Sequence, residues 1–392
     1  MKRRLNMGMV GGCLSSFIGV VHRMAAVLDN EISLACGAFS ADAAMSRKAG
    51  EAYYLDSDRV YGSYKEMFDR EKRLPLGERM DFVSIVTPNF LHFPVAKMAL
   101  ESGFHVVCEK PMTVSSEEAR LLAERVETTG LVFALSFPYS AYPMVKQAKF
   151  IVEQGILGNI RKVVVEYSQG WLASAIEVTG NRQAAWRTDP VKSGKSGTIA
   201  DIGVHAQNLA EYITGQNISE VCADLNIFVP GRKLEDDANL LVHFDGGAKG
   251  ILFASQISTG EENNLNFRVY GEKGSVTWNQ QEPNSLVLNL INKPMQVIRS
   301  GDKGNLCAEA IKNTRLPAGH PEGLIEAFAN IYRNFAEAVN IVNQGNIKHH
   351  KDFDMATVHD GLKGMFFIDA VVQSAKSDHK WIKLKKQEYK GL

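Results

Sequence analysis

Short apolar runs alternate with amphipathic helical patterns over the first third of the chain, and this alternation constrains the fold more than any other feature. Runs at 5–10, 32–39, 82–86, 105–108 and 132–136 have the length and β-branched content of buried strands. Between them, residues 17–28, 43–49, 63–70, 93–102 and 116–128 carry helical periodicity. Strands joined through a helix run parallel, since only antiparallel neighbours can be closed by a tight hairpin. The pattern predicts an α/β fold that opens with a doubly wound parallel sheet, helices on both faces, of the kind that binds dinucleotides.

After Pro138 the pattern changes. A helix over 143–154 stops at Gly155, and strand-like stretches follow at 162–167, 220–229, 238–244, 250–257, 266–270 and 275–278. Asp245-Gly246-Gly247 and Gly271-Glu272-Lys273-Gly274 have the composition of hairpin turns, so this second sheet is expected to be large, open and mostly antiparallel. Two late helices are expected over 321–343 and 357–374, and the lysine-bearing tail over 380–392 reads as solvated surface. At 392 residues the chain divides into two domains: 1–137, which binds a dinucleotide, and 138–392, with the late helices free to pack back on the first.

Composition removes several functional classes. Hydrophobic residues at 45% and charged residues at 22% describe a packed protein, and 44 basic against 44 acidic residues leave no positive excess to neutralise a phosphate backbone, so nucleic acid is not an expected partner. Cys13, Cys36, Cys108, Cys222 and Cys307 form no Cys-x-x-Cys pair; they read as reduced thiols of a cytoplasmic protein, and no metal site is expected. No apolar run approaches the roughly 20 residues of a membrane span. Lys2-Arg3-Arg4 before an apolar stretch invites a signal-peptide reading, but His22, Arg23 and Met24 continue a helix where a cleavage site would lie, which favours a first strand and a phosphate loop.

That loop runs from Met9 to Gly19. Gly11, Gly12, Ser15, Ser16, Phe17 and Ile18 follow a strand and open a helix, the setting in which backbone amides hold a pyrophosphate, although Cys13 stands where a second fingerprint glycine is usual. An ordinary strand-to-helix turn is the competing reading. Ser40 ends the second strand, where an acidic residue often binds the adenosine ribose. Arg47 or Lys48 would suit a 2′-phosphate and Asp42 would repel one, so NAD is slightly favoured over NADP. Thr87-Pro88-Asn89 with His92 follows the third strand and Glu109-Lys110-Pro111 follows the fourth, both at carboxyl ends, where such sheets bind ligands. Lys110 there can donate to a substrate hydroxyl and stabilise an alkoxide, and Pro111 can fix its direction through a cis bond.

In the second domain, Trp186-Arg187 precedes Ser193-Gly194-Lys195-Ser196-Gly197 and then Asp201-Ile202-Gly203-Val204-His205. Asp201 and His205 lie four apart in a helical segment stopped by Gly215, so both can face one site, the imidazole taking a hydroxyl proton and the carboxylate orienting it. Asp201 as a plain helix cap and His205 as a buried core histidine is the alternative.

Taken together, the glycine loop, Glu109-Lys110-Pro111 and Asp201-Ile202-Gly203-Val204-His205 resemble the Gfo/Idh/MocA family of nicotinamide-dependent oxidoreductases, as do Thr87-Pro88-Asn89 with His92, Trp186-Arg187 and Asp360-Gly361. The resemblance implies a Rossmann domain, an α/β domain with an open sheet, oligomerisation through that sheet as a homodimer or homotetramer, and Lys110, Asp201 and His205 around the reacting hydroxyl. It also implies a small sugar or glycoside substrate, with C3 of a glucoside as the sharpest expectation. An inositol or sugar-acid dehydrogenase, an NAD-dependent glycosidase and a non-catalytic sensor are the alternatives. Tyr139, Tyr142, Trp171 and Trp186 with Arg187 and His320 are expected to shape the substrate site, about half of them serving as core. On the same resemblance, Thr87, Pro88, Asn89, His92, Glu109, Lys110, Trp186 and Arg187 join the glycine loop and Ser40 in holding the cofactor.

Overall fold

A computed structural model describes residues 3–345 and 353–385 of the chain. The first elements are β1 (Leu5–Gly11), α1 (Phe17–Leu28), β2 (Ile32–Ala38), α2 (Ala43–Ala52), α3 (Tyr64–Glu71), β3 (Phe82–Val86), α4 (His92–Glu101), β4 (His105–Cys108), α5 (Ser116–Thr129) and β5 (Phe133–Leu135). Each helix from α1 to α3 starts at a side-chain cap: Ser16 accepts from Gly19 N, Asp42 from Ala44 N and Met45 N, and Ser63 from Glu66 N. The strands form one parallel sheet in the order β2-β1-β3-β4-β5. The order reverses between β1 and β3, which makes the carboxyl ends of these two strands the crevice where doubly wound sheets take ligands. The buried strand β1 pairs with both β2 and β3, which supports the strand reading of the N-terminal stretch; Lys2, named in the alternative, lies outside the described residues.

The chain continues with α6 (Pro143–Glu153), β6 (Ile160–Ser168), α7 (Arg182–Arg187), α8 (Pro190–Ser193), a π-helical turn Ile199–Gly203 and α9 (Val204–Thr214). Then come β7 (Ile218–Asn226), β8 (Asp237–Phe244), β9 (Lys249–Ser255), β10 (Asn264–Gly271), β11 (Gly274–Asn279), β12 (Ser285–Leu290), β13 (Gln296–Arg299) and α10 (Ala308–Lys312). The chain ends with α11 (Leu324–Asn343), α12 (Val358–Lys376) and β14 (Ile382–Lys383). The second sheet has nine strands in the order β13-β12-β11-β10-β6-β9-β8-β7-β14, and only β6 and β9 pair in parallel. Both turns foreseen from glycine composition close hairpins, β8–β9 and β10–β11. Along β8 and β9 buried and solvent-facing residues alternate, Leu241 and Ile251 lying on the exposed face.

Two compact units result: residues 1–138 with 324–362, and residues 139–323 with 363–392. The late helix α11 thus belongs to the first unit, where Phe328 meets the His22 ring edge-on at 4.9 Å and Phe335 meets Phe82 at 4.8 Å. The tail expected to be wholly solvated departs from that expectation, since Ile382 and Lys383 add a strand to the edge of β7; residues 386–392 lie outside the described residues. Among the described residues no helix is long and apolar enough to cross a membrane.

Candidate active site

In the first unit the glycine loop is fixed by close packing. Gly11 and Gly12 have φ of +85° and +78°, a region that side chains disfavour, and a Cβ on Gly19 would stand 2.4 Å from Gly12 Cα. Glycine at 12 and 19 therefore lets α1 start hard against the end of β1. Tyr53 donates from its hydroxyl to Gly12 O at 2.8 Å, and the Arg23 guanidinium lies 4.3 Å over the Tyr53 ring, two supports with no motif signature in the sequence. Ser15 and Phe17 are exposed beside this loop and Ile18 is partly so. Ser40 accepts from Asp42 N at 3.1 Å while the Asp42 carboxylate caps α2, so a negative group stands two residues from Ser40 at the end of β2. These residues fit NAD.

Two proposed cofactor contacts turn inward. His92 is buried, with Nδ1 2.7 Å from Pro111 O and Nε2 2.8 Å from Thr87 O; burial pulls this imidazole below its usual range, and a neutral ring donates to one carbonyl only. Glu109 is also buried, its Oε1 2.8 Å from His22 Nε2 and its Oε2 accepting from Lys110 N at 3.3 Å. Burial opposes ionisation of Glu109, but the His22 hydrogen bond and nearby positive charge outweigh it and hold the carboxyl below the ordinary range. Both side chains thus hydrogen-bond to neighbouring parts of the first unit. The Lys110-Pro111 bond is cis and Lys110 is partly exposed. Thr87 and Pro88 are partly exposed and Asn89 is buried at the same strand end.

In the second unit a polar chain links most of the sequence-named residues. Asp201 lies inside the π-helical turn, not at a cap, and its Oδ2 accepts from Arg187 Nε at 3.1 Å and Gln256 Nε2 at 2.8 Å. Gln256 Oε1 accepts from Thr198 Oγ1 at 3.1 Å, which leaves the amide nitrogen for Asp201. Gln169 continues the chain, donating to Asn263 Oδ1 at 2.7 Å and accepting from Trp171 Nε1 at 3.0 Å. Asn263 accepts from the Tyr167 hydroxyl at 2.8 Å, and Tyr167 and Tyr139 share a 2.5 Å hydroxyl contact. The Tyr139 ring meets the His205 ring edge-on at 4.9 Å. Burial, then Tyr139 and Asp201, push the Tyr167 phenol well above its usual range, so it stays a neutral donor. Glu235 secures the segment leading into the π turn, accepting from Ser196 Oγ, Gly197 N and Ile199 N.

Not every named residue joins this cluster. Trp186 carries the Arg187 guanidinium 4.1 Å above its ring, so it supports the arginine from within the second unit. Tyr142 is buried, its ring 5.4 Å from that of Trp278 and stacked at 6.4 Å on that of Tyr139. His320 is exposed on a loop, its Nδ1 3.3 Å from Pro317 O, and none of the contacts above reaches it. Tyr167, Gln169, Gln256, Asn263 and Glu235 were not found from sequence. They come from separate strands and loops, and the signals available were Gln169 and Gln256 at the ends of apolar strands, where a polar amide needs a partner.

Comparison with known proteins agrees with this architecture. Residues 5–137 match the family model for an oxidoreductase family with an NAD-binding Rossmann fold, and residues 145–277 match the model of the GFO/IDH/MocA C-terminal domain. An uncharacterised oxidoreductase of Bacillus subtilis, YfiI, is 33% identical over 97% of this chain and 97% of its own. The crystal structure of an inositol dehydrogenase homologue from Azotobacter vinelandii, complexed with NADH and myo-inositol, is 33% identical, superposes with a TM-score of 0.90 and covers 97% of this chain and 98% of that one. The D-glucoside 3-dehydrogenase of Escherichia coli is 30% identical, over 40% of this chain and 41% of its own length. The chain belongs to the Gfo/Idh/MocA family of oxidoreductases, and its first 137 residues include an NAD-binding Rossmann fold.

Proposed function

We propose that the protein is an NAD-dependent dehydrogenase that oxidises a secondary ring alcohol of a cyclic polyol, with an inositol as the leading substrate. The observation that carries this reading is the polar chain from Arg187 and Asp201 through Gln256, Gln169 and Asn263 to the tyrosines flanking His205, a dense set of donors and acceptors of the kind that a polyhydroxylated ring requires. The full-length likeness to an inositol dehydrogenase homologue supports the ring class. A second reading, oxidation at C3 of a glucoside, draws on the likeness to D-glucoside 3-dehydrogenase over part of the chain.

Held by the glycine loop and Ser40, NAD would supply the hydride acceptor for the ring carbon. His205 takes the hydroxyl proton, so the C–H electron pair leaves with hydrogen while the O–H pair becomes the second bond of the carbonyl. Asp201, its carboxylate fixed by Arg187 and Gln256, supports the charged imidazole. Lys110 donates to the hydroxyl oxygen as negative charge develops there. Residues 1–137 serve the dinucleotide and 138–392 the substrate, with association of copies through the exposed face of the nine-stranded sheet.

An absorbance assay for reduced nicotinamide, with NAD and NADP in parallel against myo-inositol, scyllo-inositol, methyl glucosides and free hexoses, tests the reading. Turnover of an inositol with NAD is expected. Turnover of methyl glucosides alone would transfer the assignment to the second reading, and hydrolysed glycoside without cofactor reduction would replace a dehydrogenase by a glycosidase.

A further inference from the structure

The segment carrying Lys110 is held on both sides by buried histidines from two different helices. On its N-terminal side, Glu109 Oε1 meets Nε2 of His22 from α1 at 2.8 Å while Glu109 Oε2 accepts the Lys110 amide at 3.3 Å. Behind His22, Nδ1 lies 2.7 Å from the Tyr332 hydroxyl, which lies 2.8 Å from Ser84 Oγ. The order is self-consistent: Ser84 donates to Tyr332, Tyr332 donates to Nδ1, and Nε2–H donates to the carboxylate, so each of these protons has an acceptor. On the C-terminal side, His92 from α4 reaches Pro111 O at 2.7 Å and Thr87 O at 2.8 Å, joining this segment to the end of β3.

We propose that His22 and His92 are a pair of positioning residues that clamp Glu109 and Pro111 and so fix Lys110, His22 in addition linking that segment to the helix that follows the glycine loop. The inference rests on the reading of Lys110 as the hydroxyl donor. Both histidines are fully buried; His22 acts through the Glu109 carboxylate that accepts the Lys110 amide, and His92 through the Pro111 carbonyl. A buried carboxylate that loses its imidazole hydrogen-bond partner must reorient or take up a proton, and the Lys110 amide bound to it goes free with it.

Hydrogen exchange read by mass spectrometry on the full-length protein tests this without any substrate. His22→Leu and His92→Phe are each expected to raise exchange of the peptide spanning 108–114 by at least tenfold, with peptides of the nine-stranded sheet unchanged. His22→Gln, which keeps a donor and an acceptor on one side chain, is expected to restore most of the protection. With NAD and myo-inositol, His22→Leu is expected to lose about 100-fold in kcat, the scale of a 1 Å misplacement, while the dissociation constant for NAD moves by less than about threefold. Should His22→Leu fail to fold, Tyr332→Phe, which removes one hydroxyl from the same chain, is expected to give the exchange change in smaller degree. Unchanged exchange at 108–114 in every folded variant overturns the inference. Full turnover in Lys110→Ala overturns the reading of Lys110 itself, and a dead Lys110→Ala beside a fully active His22→Leu overturns the clamp alone.

Discussion

Replacing Gly19 by alanine perturbs the start of α1 at a point where the geometry sets the size of the effect. The added Cβ would stand 2.4 Å from Gly12 Cα and 3.3 Å from Gly12 C, both backbone atoms that cannot rotate away, with Ser16 Oγ at 3.1 Å. Ordinary contact begins near 3.4 Å, so loop and helix must part by about 1 Å. A hydrogen bond near 2.9 Å stretched by that amount is no longer one. Each first-turn amide withdrawn from a pyrophosphate oxygen forfeits about 1.5–3 kcal/mol, so loss of one bond weakens NAD by roughly 10- to 150-fold. Titration calorimetry with NAD measures this, and thermal melting without cofactor separates it from a general loss of stability. An unchanged dissociation constant in a folded Gly19→Ala protein would refute the assignment of this loop to the pyrophosphate.

Three further predictions concern other parts of the chain. His105 Nδ1 accepts from Val132 N at 2.9 Å, and burial depresses its pKa to about 4 from 6.5. Between these values only the unfolded chain binds the proton, so stability falls with pH below about 6.5, by about 2 kcal/mol at pH 5; His105→Asn, which keeps an acceptor, should show a smaller drop in melting temperature from pH 7 to pH 5, and an equal drop would count against it. Glu71 is fully buried and accepts from Arg59, Tyr61 and Met80 N, so Glu71→Gln should cost about 3 kcal/mol in denaturant unfolding, and a loss under about 1 kcal/mol would remove the structural role. Arg187→Ala should lower kcat/KM for the substrate at least tenfold with little change in NAD affinity, because Asp201 loses its charged partner; the opposite split would move Arg187 to the cofactor.

The parts of the fold legible in the sequence are those where burial dictates residue type over several positions. The strands at 82–86 and 105–108 were read with their observed bounds because every residue in them is buried and all but Ser84 and His105 are apolar. The outer strands β12 and β13 were missed: β12 follows directly on Pro283-Asn284, and β13, at the edge of the sheet, follows Pro294 and has no buried residue. The π-helical turn left no periodic trace, since it changes one turn within an otherwise helical segment. At the site, Lys110, Asp201 and His205 stood out because each falls in a compact motif. The partners that hold them, His22 with Tyr332 and Gln256 with Gln169, are joined across 310 and 87 positions, a separation no local pattern encodes. One trace was available: His22 sits with Val21, Ala25 and Ala26 among the buried positions of α1, where a polar ring demands a buried partner.

The central claim, hydride transfer from a ring carbon to the bound nicotinamide, is tested most directly with ring-deuterated myo-inositol and NAD in ordinary water, analysing the recovered cofactor by mass. The account predicts one deuterium in the reduced nicotinamide and a ring ketone as product, with His205→Asn slowing both together. Reduced cofactor carrying only protium, or ring oxidation with no deuterium passed on, would contradict it.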